Sequence, residues 1–389
     1  MQRTPASSTS AALSRRRVLG ALAALPLATQ APAWAADDTA PIKLAQSSAL
    51  TGPLGELGQA MTQGAKAAFA AINAKGGVNG RSIELTTLDD GYDVRRAQGN
   101  VAQFMEDRGT FALFNCFGTP AVEAMMPQVI ESGIPFFAPF TGALSARPRT
   151  ARNVFNIRAS YAEEAEQLVQ QLITIGIRRI AIAYQNNAFG KEVFTSAQQV
   201  LARHKVDPAV TATVENNASD AGAAADRVAG VEPEAVLLGL AGKPTMEFAH
   251  ALRARRKGMP MYALSVMGAA ATVKAMGADA TGMTVSQIVP LPGNMSLAVV
   301  RDFNQAWKAA KTNQEPSHMA LEGYINARVF AEALRRAGKN PTRASFIDSV
   351  WSIKQFDLGG FPVSFNEGSL NASHFVELTM VARDGRFIR

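Results

Sequence analysis

From Pro41 onward, short apolar runs alternate with longer stretches of helical period, and few architectures accept that alternation. Ile42 to Ser47 reads as a strand. Met61, Ala65, Ala68, Phe69 and Ile72 then fall on one face of a helix, and Gly76-Gly77 stops it. Ile83 to Leu88 is the next strand, Val94 to Asp107 a helix, Phe111 to Asn115 a strand, and Pro135 to Ala138 a fourth. Pro120 sits in the first turn of the intervening helix, where its missing N–H costs nothing. A second series begins near Val154. Ala165, Leu168, Val169, Leu172 and Ile173 form a helical stripe, Arg179 to Tyr184 a strand, and Phe189 to Arg203 a helix. Further strands are expected at Ala209 to Val214, Ala235 to Gly239 and Met261 to Leu264. Strands that alternate with helices of this length form parallel sheets covered on both faces, and two series predict two α/β lobes. After Gln287 the period changes to two long helices, Ala298 to Lys311 and Met319 to Ala337. Strand-like Phe361 to Phe365 and His374 to Ala382 follow. This tail can complete the earlier lobes without forming a third domain.

The N-terminus belongs to a different class of segment. Ser14-Arg15-Arg16-Arg17 precedes an apolar stretch from Val18 to about Ala28, and Ala33-Trp34-Ala35 supplies the small-x-small pattern that a signal peptidase reads. That order predicts a secretory signal over residues 1–35, cleaved near Ala35. The adjacent arginines fit the twin-arginine route, with the Sec route left open. Pro26 and Pro32 interrupt the apolar stretch, and a spanning helix needs roughly 20 apolar residues. No later segment meets that requirement, so the mature chain is expected to be exported and not embedded in a membrane. The first 35 residues hold four arginines and no acid, which accounts for four of the formal +7 and leaves +3 for the rest. The remaining cations are dispersed except at Arg253-Ala254-Arg255-Arg256-Lys257. That run reads as the last turn of a helix before Gly258, where cations complement the dipole. With no aromatic stacking platform beside it, it does not read as a nucleic-acid surface. A single cysteine, Cys116, excludes an intrachain disulfide.

Catalytic signatures are missing. Gly52, Gly55 and Gly58 are spaced G-x-x-G-x-x-G rather than as the dinucleotide fingerprint, and there is no P-loop and no G-x-S-x-G elbow. His204, His250, His318 and His374 are scattered, without an H-E-x-x-H or a Cys/His cluster. His318 and Glu322 stand one turn apart, a spacing that is usually structural or solvated. Neither enzymatic activity nor a metal or cofactor is expected.

Ser47 to Asp90 carries a strand and then Thr51-Gly52 with Gly58 six residues on. A long helix follows, ending Ile72-Asn73 before Gly76-Gly77-Val78 and Gly80, and then a strand ending Asp89-Asp90. Downstream come Gly133-Ile134-Pro135, the turn Ala138-Pro139-Phe140-Thr141-Gly142-Ala143, the segment Tyr184 to Gly190, and Glu322-Gly323-Tyr324. In this order the blocks resemble the leucine/isoleucine/valine-binding protein family, the type I periplasmic solute-binding proteins of branched-chain amino-acid ABC importers. The resemblance implies an α/β fold of two doubly wound lobes joined by three crossings. Residues 41–157 and 289–357 would form lobe 1, and residues 158–288 and 358–389 lobe 2. It also implies a monomer in the periplasm that closes on a small carboxylate-bearing ligand, at the C-terminal ends of the strands, and serves an inner-membrane permease. A ligand sensor that docks on a membrane receptor or regulator is the alternative the same fold allows.

Asn115 to Pro120 leaves a strand and opens a helix, where free N–H groups and the helix dipole can hold a carboxylate near Phe117. Gly118 permits close backbone approach, and Thr119 either meets the ligand or caps the helix. By resemblance, Phe140, Thr141 and Gly142 form a second such turn, although amino-acid binders often carry threonine where Gly142 stands. Leu57, Tyr161, Phe189 and His318 fall at candidate cleft positions, each with a core or surface alternative. Ser265-Val266-Met267 occupies the place where amino-acid binders commonly set a carboxylate against the α-ammonium. None of the three can pair with it, and a buried unpaired ammonium costs several kcal/mol. Either another acid such as Asp90 serves, or the ligand lacks the ammonium. An aromatic or aliphatic acid is therefore expected beside the leucine-like default. Cys116 matches a position that is often disulfide-bonded in the family, with its partner position near Tyr92, and reads here as a small buried residue.

Overall fold

The computed structural model describes residues 40–268 and 270–389; the signal-like segment at residues 1–35 lies outside them. Every residue of strand β1 (Ile42–Ser48) except Lys43 is buried, because the strand lies inside a sheet covered on both faces. β2 (Ile83–Asp89) and β3 (Thr110–Phe114) flank it, and β4 (Phe136–Phe137) and β5 (Val154–Phe155) extend the sheet. All are parallel, in the order β2-β1-β3-β4-β5. Helix α1 (Gly55–Asn73) covers one face; α2 (Val94–Glu106) and α3 (Thr119–Ser132) cover the other. The pleat sorts the side chains: Leu44 and Phe114 pack with Phe69 of α1, whereas Ala45 and Leu113 pack with Val101 and Val122.

The second sheet repeats the plan. α4 (Tyr161–Thr174) leads into β6 (Ile180–Gln185), followed by α5 (Ala188–Arg203), β7 (Val210–Val214), α6 (Ala221–Ala229) and β8 (Ala235–Gly239). α7 (Lys243–Arg255), β9 (Met261–Ala263), α8 (Ala270–Met276) and β10 (Thr284–Gln287) complete the run. These strands are parallel in the order β10-β9-β8-β6-β7. Ile182 and Leu237 pack under α4 and α5, while Ala183 and Leu238 face α6, α7 and α8. The basic run at 253–257 fastens the end of α7. Arg253 donates to the carbonyls of Met259, Asp279 and Thr281, and Arg255 pairs with Asp226.

α9 (Ala298–Ala309), α10 (His318–Ala337) and α11 (Arg343–Trp351) return to the first sheet, where Phe303, Tyr324, Phe330 and Phe346 enter its core. A hairpin of β11 (Phe356–Asp357) and β12 (Pro362–Val363) follows; β13 (Glu377–Val381) and β14 (Phe387–Ile388) then add antiparallel to the β10 edge of the second sheet. The chain thus passes between the sheets three times: after β5, after β10 and after β12. The last passage comes later than the expected residue 358. Leu358, Phe361, Val363, Phe365 and Ala372 all lie in the first sheet's core, and Ala372 N–H bonds the Asn156 carbonyl. The strand expected over Phe361 to Phe365 shrinks to two residues for the same reason: Phe365 packs against Phe155 and Trp351 instead of extending a ladder. No helix among the described residues is long and apolar enough to cross a membrane.

α1 and α10 cross at backbone contact. A Cβ on Gly64 would lie 1.8 Å from the Ala320 carbonyl oxygen, and one on Gly323 would lie 2.0 Å from that of Met61. Each helix offers a glycine where the other's backbone passes, which fixes where the first turns of α10 stand. Gly64→Val is expected to lower stability by about 3 kcal/mol or more, read from the unfolding midpoint. Gly99→Ala, exposed in α2 with open space around the added methyl, is expected to raise it by about 0.5–1 kcal/mol. A Gly64→Val protein as stable as the wild type would contradict the close crossing.

Candidate ligand-binding cleft

The crevice between the sheets is lined by residues that follow the carboxyl ends of parallel strands. Leu54 and Leu57 come after β1, Tyr92 after β2, Phe117, Gly118 and Thr119 after β3, and Phe140 after β4. Facing them, Tyr161 opens α4, Phe189 opens α5, Ala241 follows β8 and Val266 follows β9. In open α/β sheets ligands bind at this end of the strands. These residues pack so closely that the space among them admits about one water molecule. Contacts across the crevice hold it shut: the Leu144 N–H donates to Glu192 at 2.9 Å, the Thr272 hydroxyl to Glu56 at 2.7 Å, and the Asn187 amide to the Tyr92 hydroxyl at 3.3 Å.

Local chemistry explains the wall. Gly118 N–H donates to the Phe140 carbonyl and Phe140 N–H to the Cys116 carbonyl, so the turns after β3 and β4 run side by side. The Phe117 and Phe140 rings stack with centroids 4.6 Å apart. Gly118 has φ +91°, and a Cβ there would lie 2.6 Å from the Tyr92 ring; glycine is what lets α3 begin this close to Tyr92. Gly118, not Thr119, occupies the cap position of α3, with Pro120 in the first turn. The Thr119 hydroxyl instead shares a 2.7 Å hydrogen bond with the Thr141 hydroxyl, which also accepts from the Ala143 N–H. A Cβ on Gly142 would lie 2.4 Å from the Tyr161 ring, so that glycine makes room for the tyrosine. Tyr161 in turn meets Phe189 edge-on at 5.2 Å.

Among the described residues, none that lines this space carries a charged side chain. Charge stands behind it. The Arg158 guanidinium lies 4.7 Å from the Phe140 ring centroid and 5.7 Å from that of Tyr161. It donates to the Ser265 hydroxyl at 2.6 Å and to Glu164 at 3.3 Å, and reaches Glu322 at 3.5 Å. Glu164 also accepts from the Ser265 N–H, the Ser265 hydroxyl and the Ser286 hydroxyl. Glu322 is less well served: its Oε2 is buried without a hydrogen bond. Burial pushes the Glu322 carboxyl up to about 7, against the pull of Arg158 and with the Glu164 charge adding to the rise. Arg147, also buried, donates to the carbonyls of Thr141, Ala143 and Arg158. Burial, and then repulsion by Arg158, lowers it to about 10, which leaves it a cation at neutral pH.

Of the residues singled out in the sequence, Leu57, Phe117, Gly118, Thr119, Phe140, Tyr161, Phe189 and Val266 meet at this one space. Thr141 and Gly142 stand just behind it. Met267 points into the core under α7 and α8. His318 lines a different cavity with Ser317 and Gln287, edge-on to Phe387 at 5.1 Å. Burial pulls its imidazole down to about 3, so it is neutral. Asp90 is held by the Ser47 hydroxyl and the Tyr92 N–H, off the wall. Cys116 is buried behind Phe117, and burial pushes its thiol up to about 12, the condition of an unreactive cysteine. Leu54, Tyr92 and Ala241 were not foreseen. Tyr92 carries a usable signal, since it follows Asp89-Asp90-Gly91 at a strand end. Ala241 has none.

The periplasmic binding protein family profile matches residues 41–386. Leu/Ile/Val-binding protein homolog 7 of Brucella abortus (strain 2308) is 24% identical over 321 residues, 78% of this chain and 79% of that protein. Among solved structures, a substrate-binding periplasmic protein from Ralstonia solanacearum is 32% identical with a TM-score of 0.84, over 89% of this chain and 99% of that one. An ABC-transporter solute-binding protein from R. palustris, solved in complex with benzoate, has the same fold at 18% identity and a TM-score of 0.79, over 90% and 95% of the two chains. With its strand-end crevice between two such sheets, and matched along both of them, the chain belongs to the periplasmic binding protein family, which is non-catalytic.

Proposed function

We propose that this protein is exported to the periplasm, captures a small carboxylate-bearing solute between two hinged α/β lobes, and delivers it to an inner-membrane ABC permease. The lobes are built on the two sheets, and the three passages between them form the hinge. The ligand class we favour is an aromatic or aliphatic acid without an α-ammonium; branched-chain amino acids are the family default against which it is measured.

One observation carries that preference. The wall facing the amino end of α3 is Tyr161, Phe189, Ala241 and Val266, and Ser265 beside it is engaged by Arg158 and Glu164. A carboxylate placed against α3 meets first-turn N–H groups that have no intrahelical acceptor, and the helix dipole favours it. An α-ammonium on the same ligand would face apolar side chains and lose its hydration without a counter-charge. Tyr92, Phe117, Phe140, Tyr161 and Phe189 offer ring faces and edges to an apolar body. The benzoate found in the R. palustris relative supports an acid of this size in the same fold. Closure requires no chemistry: the ligand favours the shut form through contacts with both walls at once.

Two measurements test the reading. In thermal-shift and calorimetric titrations, one or more of benzoate, phenylacetate and hexanoate is expected to bind more tightly than L-leucine or L-phenylalanine. At about 100 times its Kd the acid should add about 2.7 kcal/mol of stability. Tighter binding of the amino acids, or silence from both sets, contradicts the assigned class. Val266→Asp, which sets a carboxylate opposite α3, is expected to weaken the best acid by roughly hundredfold and the amino acids far less. An unchanged acid-to-amino-acid ratio would remove Val266 from the ligand's surroundings.

A further inference from the structure

Arg158 stands where the chain first passes between the sheets, and its side chain is 2% exposed. It touches one carboxylate from each side: Glu164 on α4, which packs on the second sheet, and Glu322 on α10, which packs on the first. Glu164 is saturated by the backbone N–H and hydroxyl of Ser265, the hydroxyl of Ser286 and Arg158 itself. Glu322 has only the long 3.5 Å approach to Arg158, and its second oxygen is buried without a partner. The groups around it are few. α10 itself contributes His318, one turn earlier and neutral. α4 contributes Glu164 and Tyr161, and the passage contributes Arg158. The turn before β5 contributes Arg147, through its bond to the Arg158 carbonyl. α1 meets this part of α10 with Met61 and Ala65.

Arg158 therefore stands alone between two buried carboxylates behind the cleft wall, while the acids that act on Arg147 are Glu163 and Glu192. With both acids ionised this triad carries one net negative charge, which repels a ligand carboxylate arriving at the cleft wall. With Glu322 protonated the triad is neutral, and the repulsion behind the two rings that line the cleft is gone. We propose that Arg158 and Glu322 are positioning residues that set the charge the cleft accepts: as the lobes close on an acid, Glu322 takes one proton from the buffer, and the net negative charge behind the aromatic wall is removed. The proton adds to a carboxylate oxygen of Glu322, and no bond to the ligand forms or breaks. The inference rests on the hinge reading above, because Glu322 must be wetter in the open form than in the shut one.

The sign follows from the two protonation states. In the shut form burial holds the Glu322 carboxyl near about 7, against an ordinary 4.5 in water. The shut form binds more protons, so closure gains as pH falls through about 7 and gains nothing more below about 4.5. Affinity for an acid is expected to rise roughly tenfold from pH 8 to pH 6, a window in which benzoate, phenylacetate and hexanoate stay ionised.

The test is calorimetric titration of the tightest acid of that panel at pH 7, in two buffers of different ionisation enthalpy. The isotherm reports the ligand class, and the dependence of the heat on buffer reports the proton, so the two ideas fail separately. The wild type is expected to take up about half a proton per ligand. Glu322→Gln is expected to bind the acid with no uptake and a flat pH profile, and Arg158→Gln to lose about tenfold in affinity for acids. An acid that binds without proton uptake, or a Glu322→Gln protein that keeps both uptake and slope, overturns the proposal while leaving the binding function intact. Binding of amino acids alone overturns the ligand class and this proposal together. The wild-type measurement needs no variant, so a poorly folding substitution does not blunt it.

Discussion

Parallel strands release their chain at one common end, and the cleft of this protein depends on that constraint. A parallel neighbour can be reached only by a crossover, so each strand is followed by a turn and a helix on the same edge of the sheet. Two sheets brought together at that edge present turns, glycines and helix amino ends to one another and almost nothing else. Tyr92, Phe117, Phe140, Phe189 and Val266 come from five different strand ends, yet they meet around one small space. The glycines at 118 and 142 are spent on close approach to Tyr92 and Tyr161, which brings aromatic rings rather than backbone to the surface of the crevice.

Charge is arranged in a second layer. The wall is apolar and aromatic, and the guanidinium of Arg158 lies behind it, shared between carboxylates on helices that pack on the two different sheets. Taking three such groups out of water is unfavourable unless their hydrogen bonds are nearly complete. Glu164 meets that condition and Glu322 does not. An imperfectly served buried acid is a natural place for a proton to enter and leave, and here it sits on the helix that the α1 crossing holds against the first sheet.

Most of the architecture could be read before any coordinates. Strands buried on both faces appear as short apolar runs, as Ile42–Ser48 and Ala235–Gly239 do, and the intervening helices bury one stripe each. Phe361 to Phe365 misled because its apolar side chains serve the core sideways, a use that period alone does not distinguish from a ladder. In the cleft, the turn from Phe117 to Thr119 was legible because a strand end followed by Gly, Thr and Pro opens a helix. Val266 stood out only through the resemblance, at a position where amino-acid binders commonly carry an acid and this chain does not. Sequence pattern locates strand ends but does not say which of two or three adjacent side chains reaches the wall: Thr141, Gly142 and Met267 stand off it, and His318 lines a different cavity. Arg158 gave no signal, and Glu322 stood out only for its spacing from His318 and as part of the Glu322-Gly323-Tyr324 block: the meeting of the two depends on tertiary structure that joins residues far apart in the chain.

Two halves that shut on an acid without changing it chemically must become more compact when they bind it. Small-angle scattering from the processed protein, with and without a saturating acid from the panel, measures that movement directly. The account predicts a smaller radius of gyration in the bound form, and recovery of the same acid, unaltered, on release. Saturable binding with superimposable scattering profiles would contradict it.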